Sequence, residues 1–159
     1  MKRFIIITAI AALCVGTVYA RGVLQDDKRA VLDFTAVQDK SWTLVEIAHE
    51  SGSILLDRNA YQATNHGDIF TIQFSKDGQF SGKASPNHYR GTYTFGVHQS
   101  LSLGQAAATL MMDLNAPSEL SESTYFAYLS SVQRWELIGS TLGLETRDAE
   151  GNALLLIFN

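Results

Sequence analysis

Short stretches of alternating apolar and polar residues recur along this chain from residue 41 to its end. Such alternation is typical of strands that are half-buried on a sheet. The clearest examples hold Phe70, Ile72 and Phe74, then Trp135 and Leu137, then Leu142 and Leu144. Residues 41–48 and 154–158 instead carry apolar side chains on both faces. This pattern predicts two interior strands among several half-buried ones.

Turn-forming residues separate these stretches. The sequence Lys76-Asp77-Gly78 predicts a hairpin, because glycine adopts the positive φ that a tight turn demands. Further short strands are predicted at residues 54–56, 101–103 and 106–112. Residues 57–67 lack a clear period, so they form either one helical turn capped by Asp57 or a loop.

The stretch from Phe80 to Tyr93 combines several backbone signals with aromatic residues. Gly82, Pro86-Asn87 and Gly91 predict that two short strands meet here across one turn. We expect Asn87 to stabilise that turn. A glycine within a strand pattern marks a bulge or a close approach of another group, so Gly91 is expected to bend the sheet.

One longer helix is predicted, from Asn115 to Val132. Asn115 is a suitable N-cap, and Pro117 suits the first turn. One apolar face recurs at helical spacing and comprises Tyr125, Tyr128, Leu129 and Val132. Because tyrosine hydroxyls need hydrogen-bond partners, we expect the two tyrosines at the rim of the packed layer.

Nine or ten strands and one helix indicate a mainly β (α+β) fold. We expect a curled antiparallel sheet or a partly closed β-barrel with the helix packed against it. The chain has 159 residues, a length that suits one domain with a substantial core. Residues 41–159 are the predicted domain, and residues 21–40, which are rich in charge, are the predicted linker.

Residues 1–20 have the pattern of a signal peptide. Lys2 and Arg3 precede an apolar run, and Ala20 ends a stretch that fits the cleavage site. We therefore expect export to the periplasm or secretion, with no transmembrane segment in the mature chain. The alternative is a lipoprotein acylated at Cys14, the single cysteine, although Leu13 before it is not small.

The charge balance argues against two classes of partner. The formal charge is −4, and loss of residues 1–20 would leave 10 basic and 16 acidic residues, a charge of −6. Nucleic acids and anionic lipids need clustered lysine and arginine. Neither is therefore an expected partner.

No metal or cofactor site is predicted. The four histidines (His49, His66, His88 and His98) lack metal-ligand spacing, and the mature chain would have no cysteine. His88 lies beside Lys83 and Arg90, where it could act as a general base, but alternation with Tyr89 favours an outward, solvated residue.

Catalytic residues are likewise not predicted. Glu119 and Glu122 could form a pair of acids, but they fit the N-terminal turn of the helix better. Hydrolase and nucleotide-binding motifs are missing from the sequence. The predicted class is therefore a non-enzymatic protein.

Large apolar side chains allow two interpretations. A set of seven could line a pocket for an acyl chain or simply fill the interior: Phe70, Phe74, Phe80, Tyr89, Tyr93, Trp135 and Phe158. Small barrels are usually close-packed, which favours the filled interior.

The order of these elements resembles the META domain, an HslJ-like family of small exported proteins. The likeness covers about residues 40–158. It rests on Trp42 and Leu44, residues 70–74, Gly82 through Pro86-Asn87, Tyr89 and Tyr93, Thr109-Leu110-Met111, the helix from Glu119 through Tyr125-Phe126 and Leu129, and Trp135 with Leu137. At the position of Ser85-Pro86-Asn87, many members have a sequence similar to GCN, which contains a cysteine, and they have a second cysteine downstream. Pro86 and Asp113 stand at those two positions here, so this is a variant without the cysteine pair.

The resemblance implies a small sheet wrapped on one helix and a place in the cell envelope. Members of the family are linked with stress responses, and some with motility or virulence, without agreed catalytic residues. We therefore expect a binding or structural module with an envelope protein as partner. The fold is also similar to that of small lipid-binding pilot proteins, so the alternative is a carrier or sensor of a hydrophobic ligand.

Overall fold

The computed structural model describes residues 34–63, 68–111 and 117–159. His66, Gly67, Asp113 and Asn115 lie outside these residues, as do the predicted signal peptide and most of the predicted linker. Ten strands are present in chain order: β1 (Ser41–His49), β2 (Gly52–Leu55), β3 (Thr71–Phe74), β4 (Gln79–Lys83), β5 (His88–Phe95), β6 (Leu101–Leu103), β7 (Ala107–Ala108), β8 (Arg134–Ile138), β9 (Thr141–Arg147) and β10 (Ala153–Phe158). The described ranges also contain the α-helices α1 (Arg58–Ala63) and α2 (Glu122–Ser130).

All ten strands belong to one antiparallel sheet. The main path runs β6-β5-β4-β3-β1-β10-β9-β8, with β2 beside β1 and β7 beside β5. The two ends of this path meet at a seam, which we define by Ser100 and Leu101 on one side and Gln133 and Arg134 on the other. Ser100 bridges Arg134, and the amide of Leu101 donates to the carbonyl of Gln133 at 3.0 Å. The sheet is therefore nearly closed into a barrel with few helices, as predicted.

The strands form where alternation places apolar side chains inward. Ile72 and Phe74 of β3 are fully buried, while Gln73 between them is exposed. In β10, Leu154, Leu156 and Phe158 are buried in the same way. A half-buried strand is stable when one face joins a common core, and here the inward faces share one cluster.

The packed domain begins before residue 41. Phe34 and Val37 are fully buried, and the Phe34 ring lies 4.6 Å from Phe95 and 4.9 Å from Trp135, measured between ring centroids. The amide of Asp39 donates to the carbonyl of Phe74 at 2.7 Å. The end of the predicted linker is thus part of the core.

Helix α2 is shorter than the predicted helix and begins at a different residue. Its N-cap is Ser121, whose Oγ accepts a hydrogen bond from the amide of Thr124 at 3.1 Å. Pro117 lies four residues before this cap and outside the helix, so the prediction of a first turn around it was wrong. Serine and asparagine cap helix N-termini about equally well, so the helix begins at the cap that lies nearer to its buried apolar face. In the described ranges, neither α-helix has the length or the apolar character needed to cross a bilayer.

The face of α2 packs more deeply than expected. Tyr125 is fully buried and Leu129 nearly so, while Tyr128 is only partly buried. The rim position predicted for both tyrosines is therefore wrong for Tyr125, which finds hydroxyl partners inside the core. Helix α1 forms as one of the two alternatives predicted, because Asp57 Oδ1 accepts from the amides of Asn59 and Ala60, each at 3.1 Å.

Candidate functional site

A groove runs across the outer face of the sheet. It has a volume of about 710 Å³ and opens to solvent. One row of outward side chains crosses five neighbouring strands in register: Ser41, Gln73, Ser81, Arg90 and Ala107. Antiparallel pairing places directly opposed residues on the same face, so this row forms a continuous floor of four polar side chains and Ala107.

A second row lies beside the first and contains Lys83, His88 and Thr109. Lys83 lies opposite His88, and the amide of Thr109 donates to the carbonyl of His88 at 3.0 Å. Lys83 Nζ contacts Asp68 Oδ1 at 2.7 Å. This hydrogen bond lowers the pKa of the Asp68 carboxyl group, which holds the carboxylate charged beside the lysine.

His88 and Arg90 point outward from β5 and are exposed, as alternation with the buried Tyr89 predicted. Arg90 forms no ion pair with any residue in the described ranges. The groove therefore presents the Arg90 guanidinium beside the exposed His88, while Lys83 is paired with Asp68.

The other two histidines in the described residues, His49 and His98, lie on different elements. His49 ends β1 and has a buried Nε2 without a hydrogen-bond partner in the described part of the chain, whereas His98 is exposed in a short 3₁₀ turn. Among the described residues, no three His, Cys, Asp or Glu side chains lie close enough together to hold a metal ion.

The two glutamates considered as paired acids face different partners. Glu119 lies before α2, and its Oε2 accepts from the Tyr61 hydroxyl at 3.4 Å. Burial, followed by the nearby Glu119 carboxylate, raises the pKa of Tyr61 to about 12. Glu122 instead contacts Asn87, so the geometry does not bring the two carboxylates to one reacting atom.

The side-chain amide of Asn87 links three segments. Its Nδ2 donates to the carbonyl of Met111 at 3.1 Å and to Glu122 Oε2 at 2.8 Å. Its Oδ1 accepts from the amide of Met111 at 2.7 Å and from the hydroxyl of Thr109 at 2.8 Å. Asn87 is buried, and its structural role at the turn, expected from the sequence, extends to anchoring residues 109–111 and the start of α2.

The interior holds the aromatic set that could have lined a pocket. All seven side chains are buried, and Phe74 lies 5.1 Å from Tyr93 between ring centroids. The Tyr89 hydroxyl donates to the carbonyl of Thr71 at 2.6 Å and lies 3.0 Å from the Tyr125 hydroxyl. These rings fill the space in which a hydrophobic ligand would have to lie.

The groove was not predicted from the sequence. Lys83 and Arg90 were noted only as neighbours of His88, and Gln73 and Ser81 were not singled out. Their outward positions follow from alternation, but their alignment depends on the register of β3, β4 and β5, which alternation alone does not fix.

Comparisons with known proteins agree with this architecture. An NMR structure of a protein from Burkholderia xenovorans matches with a TM-score of 0.57 and 20% identity, over 88% of this chain and 94% of that one. A crystal structure of a DUF4847 family protein from Bacteroides vulgatus matches with a TM-score of 0.52 and 16% identity, over 80% of this chain and 95% of that one. At these identities the likeness concerns the fold alone. Comparison with curated proteins gives no match.

The family itself is identified from the sequence. The profile of the META domain matches residues 35–157. That range includes the turn segment before β1 and ends within β10, so it spans every strand of the barrel. The chain belongs to the META domain family.

Proposed function

We propose that this protein is an exported, non-enzymatic binding module of the cell envelope that contacts a partner protein under stress. The observation that carries the proposal is the open groove beside a filled interior. A row of five side chains from five strands forms a broad, solvent-exposed floor. A floor of this kind suits contact with a macromolecule better than enclosure of a small molecule.

Export is supported by the pattern of residues 1–20 and by the exported character of the proteins that the chain resembles. The mass of the protein isolated from intact cells tests it. A chain that begins at Arg21, recovered from the periplasm or the medium, is the expected result. A lipid-modified Cys14 would make the protein membrane-anchored, and an unprocessed cytoplasmic chain would contradict export.

Binding through the groove is tested by photo-crosslinking in intact cells with the native N-terminus retained. A photoreactive residue replaces Ser81 on the groove floor, and the control replaces Glu150 in the exposed turn between β9 and β10. We expect stress-dependent adducts with a defined protein from position 81 and none from position 150. Equal adducts at both positions, or none at position 81, would contradict a partner at the groove.

A further inference from the structure

The chain stays extended beside β5 beyond the two residues of β7 and forms an edge of the sheet from residue 107 to residue 111. Arg90 lies opposite Ala107, and the amide of Thr109 donates to the carbonyl of His88 at 3.0 Å. Along an antiparallel strand, residues whose backbone N–H and C=O hydrogen-bond to the neighbouring strand alternate with residues whose backbone groups point to the opposite side. Ala108 lies between two bonded residues, so its N–H and C=O point away from β5.

Asn87 extends this pattern of hydrogen bonds by one step. The next bonded pair would join Met111 to Pro86, but proline has no N–H to donate. The Asn87 amide takes the place of the missing peptide group, because it accepts from the Met111 amide at 2.7 Å and donates to the Met111 carbonyl at 3.1 Å. The backbone groups of Leu110, between Thr109 and Met111, therefore also point outward.

The edge formed by residues 107–111 is exposed. Leu110 is 99% and Met111 60% exposed, and in the described part of the chain no strand pairs with the outer side of β7. The segment contains neither charge nor proline, the features that usually protect an edge from pairing. Such an edge can accept an added strand through its backbone groups.

The charges next to this edge indicate which strand it would accept. Neighbouring strands lie about 4.8 Å apart, so an added strand would lie two spacings from β5. Ala107 stands between that position and Arg90, and its small side chain leaves the guanidinium room to reach across. His88 stands in the same relation across Thr109. Acidic side chains at alternate positions of the added strand would meet both.

We propose that the free edge of residues 107–111 binds an extended polypeptide segment with acidic side chains at alternate positions, by adding it to the sheet beside β7. This inference rests on the proposed function, since it names the chemistry of the partner. A second copy of the chain is a poorer occupant, because its own edge, residues 107–111, has no acidic side chain to meet Arg90 or His88.

The test is a titration of the purified protein with three kinds of blocked peptide. The first alternates threonine and glutamate, and the second has lysine in place of glutamate. The third is the glutamate peptide with alternate amides N-methylated, made in both registers. We expect saturable binding of the glutamate peptide that weakens with salt, at least tenfold weaker binding of the lysine peptide, and loss of binding for one methylated register only.

Three variants locate the binding. Arg90→Glu should weaken binding of the glutamate peptide at least tenfold. Ala108→Pro should abolish it without unfolding the protein, because the Ala108 N–H makes no bond to β5. Arg147→Glu, on β9 outside the groove, is the control and should change the affinity less than twofold. The methylated peptides give the same information independently of whether Ala108→Pro folds.

Several results would overturn the proposal. These are no binding of the glutamate peptide, equal binding of the lysine peptide, equal binding of both methylated registers, or a dimer that Ala108→Pro dissociates. If these occur while crosslinks from position 81 persist in cells, the edge is not the binding site for an added strand, and the groove still binds a partner. If those crosslinks are also missing, the proposed function fails with it.

Discussion

Gly82 shows how one missing side chain determines local packing. It lies on β4 directly opposite Tyr89 on β5, and the tyrosine ring crosses it so that its hydroxyl reaches the carbonyl of Thr71 on β3. A Cβ at position 82 would lie 2.0 Å from the backbone carbonyl oxygen of Thr71, 2.6 Å from the Tyr89 hydroxyl oxygen and 2.7 Å from its Cζ. Only glycine leaves room for this arrangement.

We predict that Gly82→Ala lowers the free energy of unfolding by about 1–3 kcal/mol, the usual cost of forcing an extra group into a packed site. The added methyl group must displace the Tyr89 ring and break its bond to Thr71. Urea unfolding measures the effect. Ser81→Ala, which is exposed on the same strand, is the control and should change stability by no more than about 0.5 kcal/mol. Equal stability of the two variants would refute the packing argument.

Two buried hydroxyl groups make stability sensitive to alkali. Burial raises the pKa of both Tyr89 and Tyr125 above the ordinary value for tyrosine. A tyrosine whose pKa is raised in the folded state stays protonated there while the unfolded chain ionises. Its contribution is therefore complete below the unfolded pKa, about 10, and is lost as pH rises above it.

We predict that the free energy of unfolding falls steeply between about pH 10 and pH 12. In Tyr125→Phe this fall should be shallower, because one buried ionisable group has been removed. Urea unfolding across this range, with tyrosinate absorbance to follow ionisation, measures both quantities. Tyr128→Phe, at a partly buried position, is the comparison. The prediction is wrong if all three proteins have the same pH dependence.

At the level of elements, the turn between β4 and β5 also holds the start of α2. Glu122 accepts from the backbone amide of Asn87 at 3.3 Å and from its Nδ2 at 2.8 Å. The Asn87 side chain also accepts from the amide of Met111 and so holds that residue beside β5. One buried amide therefore joins a turn, an edge strand and a helix, in a variant without the cysteine pair that the resemblance places near this turn.

We predict that Asn87→Ala lowers the free energy of unfolding by about 1–3 kcal/mol, because it removes the hydrogen bonds of the buried amide to Thr109, Met111 and Glu122. Amide exchange of Thr109 and Met111 should rise more than that of β9 and β10. Asn87→Asp should be worse at neutral pH, since it places a carboxylate against Glu122. Adding Glu122→Gln to Asn87→Asp should recover part of the loss, and no recovery would show that the contact is not decisive.

The sequence predicted most strands because their inward residues alternate with polar ones over a whole element. It predicted the helix starting at Asn115 because asparagine is a good N-cap and Pro117, two residues later, suits the first turn. Ser121 has the same chemistry and lies closer to the buried Tyr125 and Leu129. Local signals of equal strength cannot decide between two caps, because tertiary packing selects one of them.

At the level of the whole molecule, the domain boundary was the least predictable feature. The stretch QDDKRAVLDFTAVQDK is rich in charge, which suggested a linker. Phe34 and Val37 are nevertheless fully buried, because two apolar residues three apart suffice to fix a helical turn against the barrel. The groove was hidden for a related reason, since its floor comes from five strands whose alignment depends on pairing across the sheet.

We predict that Phe34→Ala lowers the free energy of unfolding by about 3–5 kcal/mol, as expected for loss of a buried aromatic ring. The ring contacts Phe95 and Trp135, so tryptophan fluorescence should also change. Val37→Ala and Val97→Ala form a matched pair, since Val37 is buried and Val97 is 46% exposed. If both valine variants cost the same, the segment before β1 is not part of the core.

The seam between β6 and β8 has a consequence for how the molecule comes apart. β1 and β10 share five paired positions, whereas one bridge and one main-chain hydrogen bond join the seam, with Arg134 Nη2 donating to Gln99 Oε1 at 3.3 Å. The barrel is therefore a rolled sheet whose two ends are joined by few contacts. We therefore expect thermal unfolding to begin at Ser100 and Leu101, and a crosslink engineered there to hold the barrel closed.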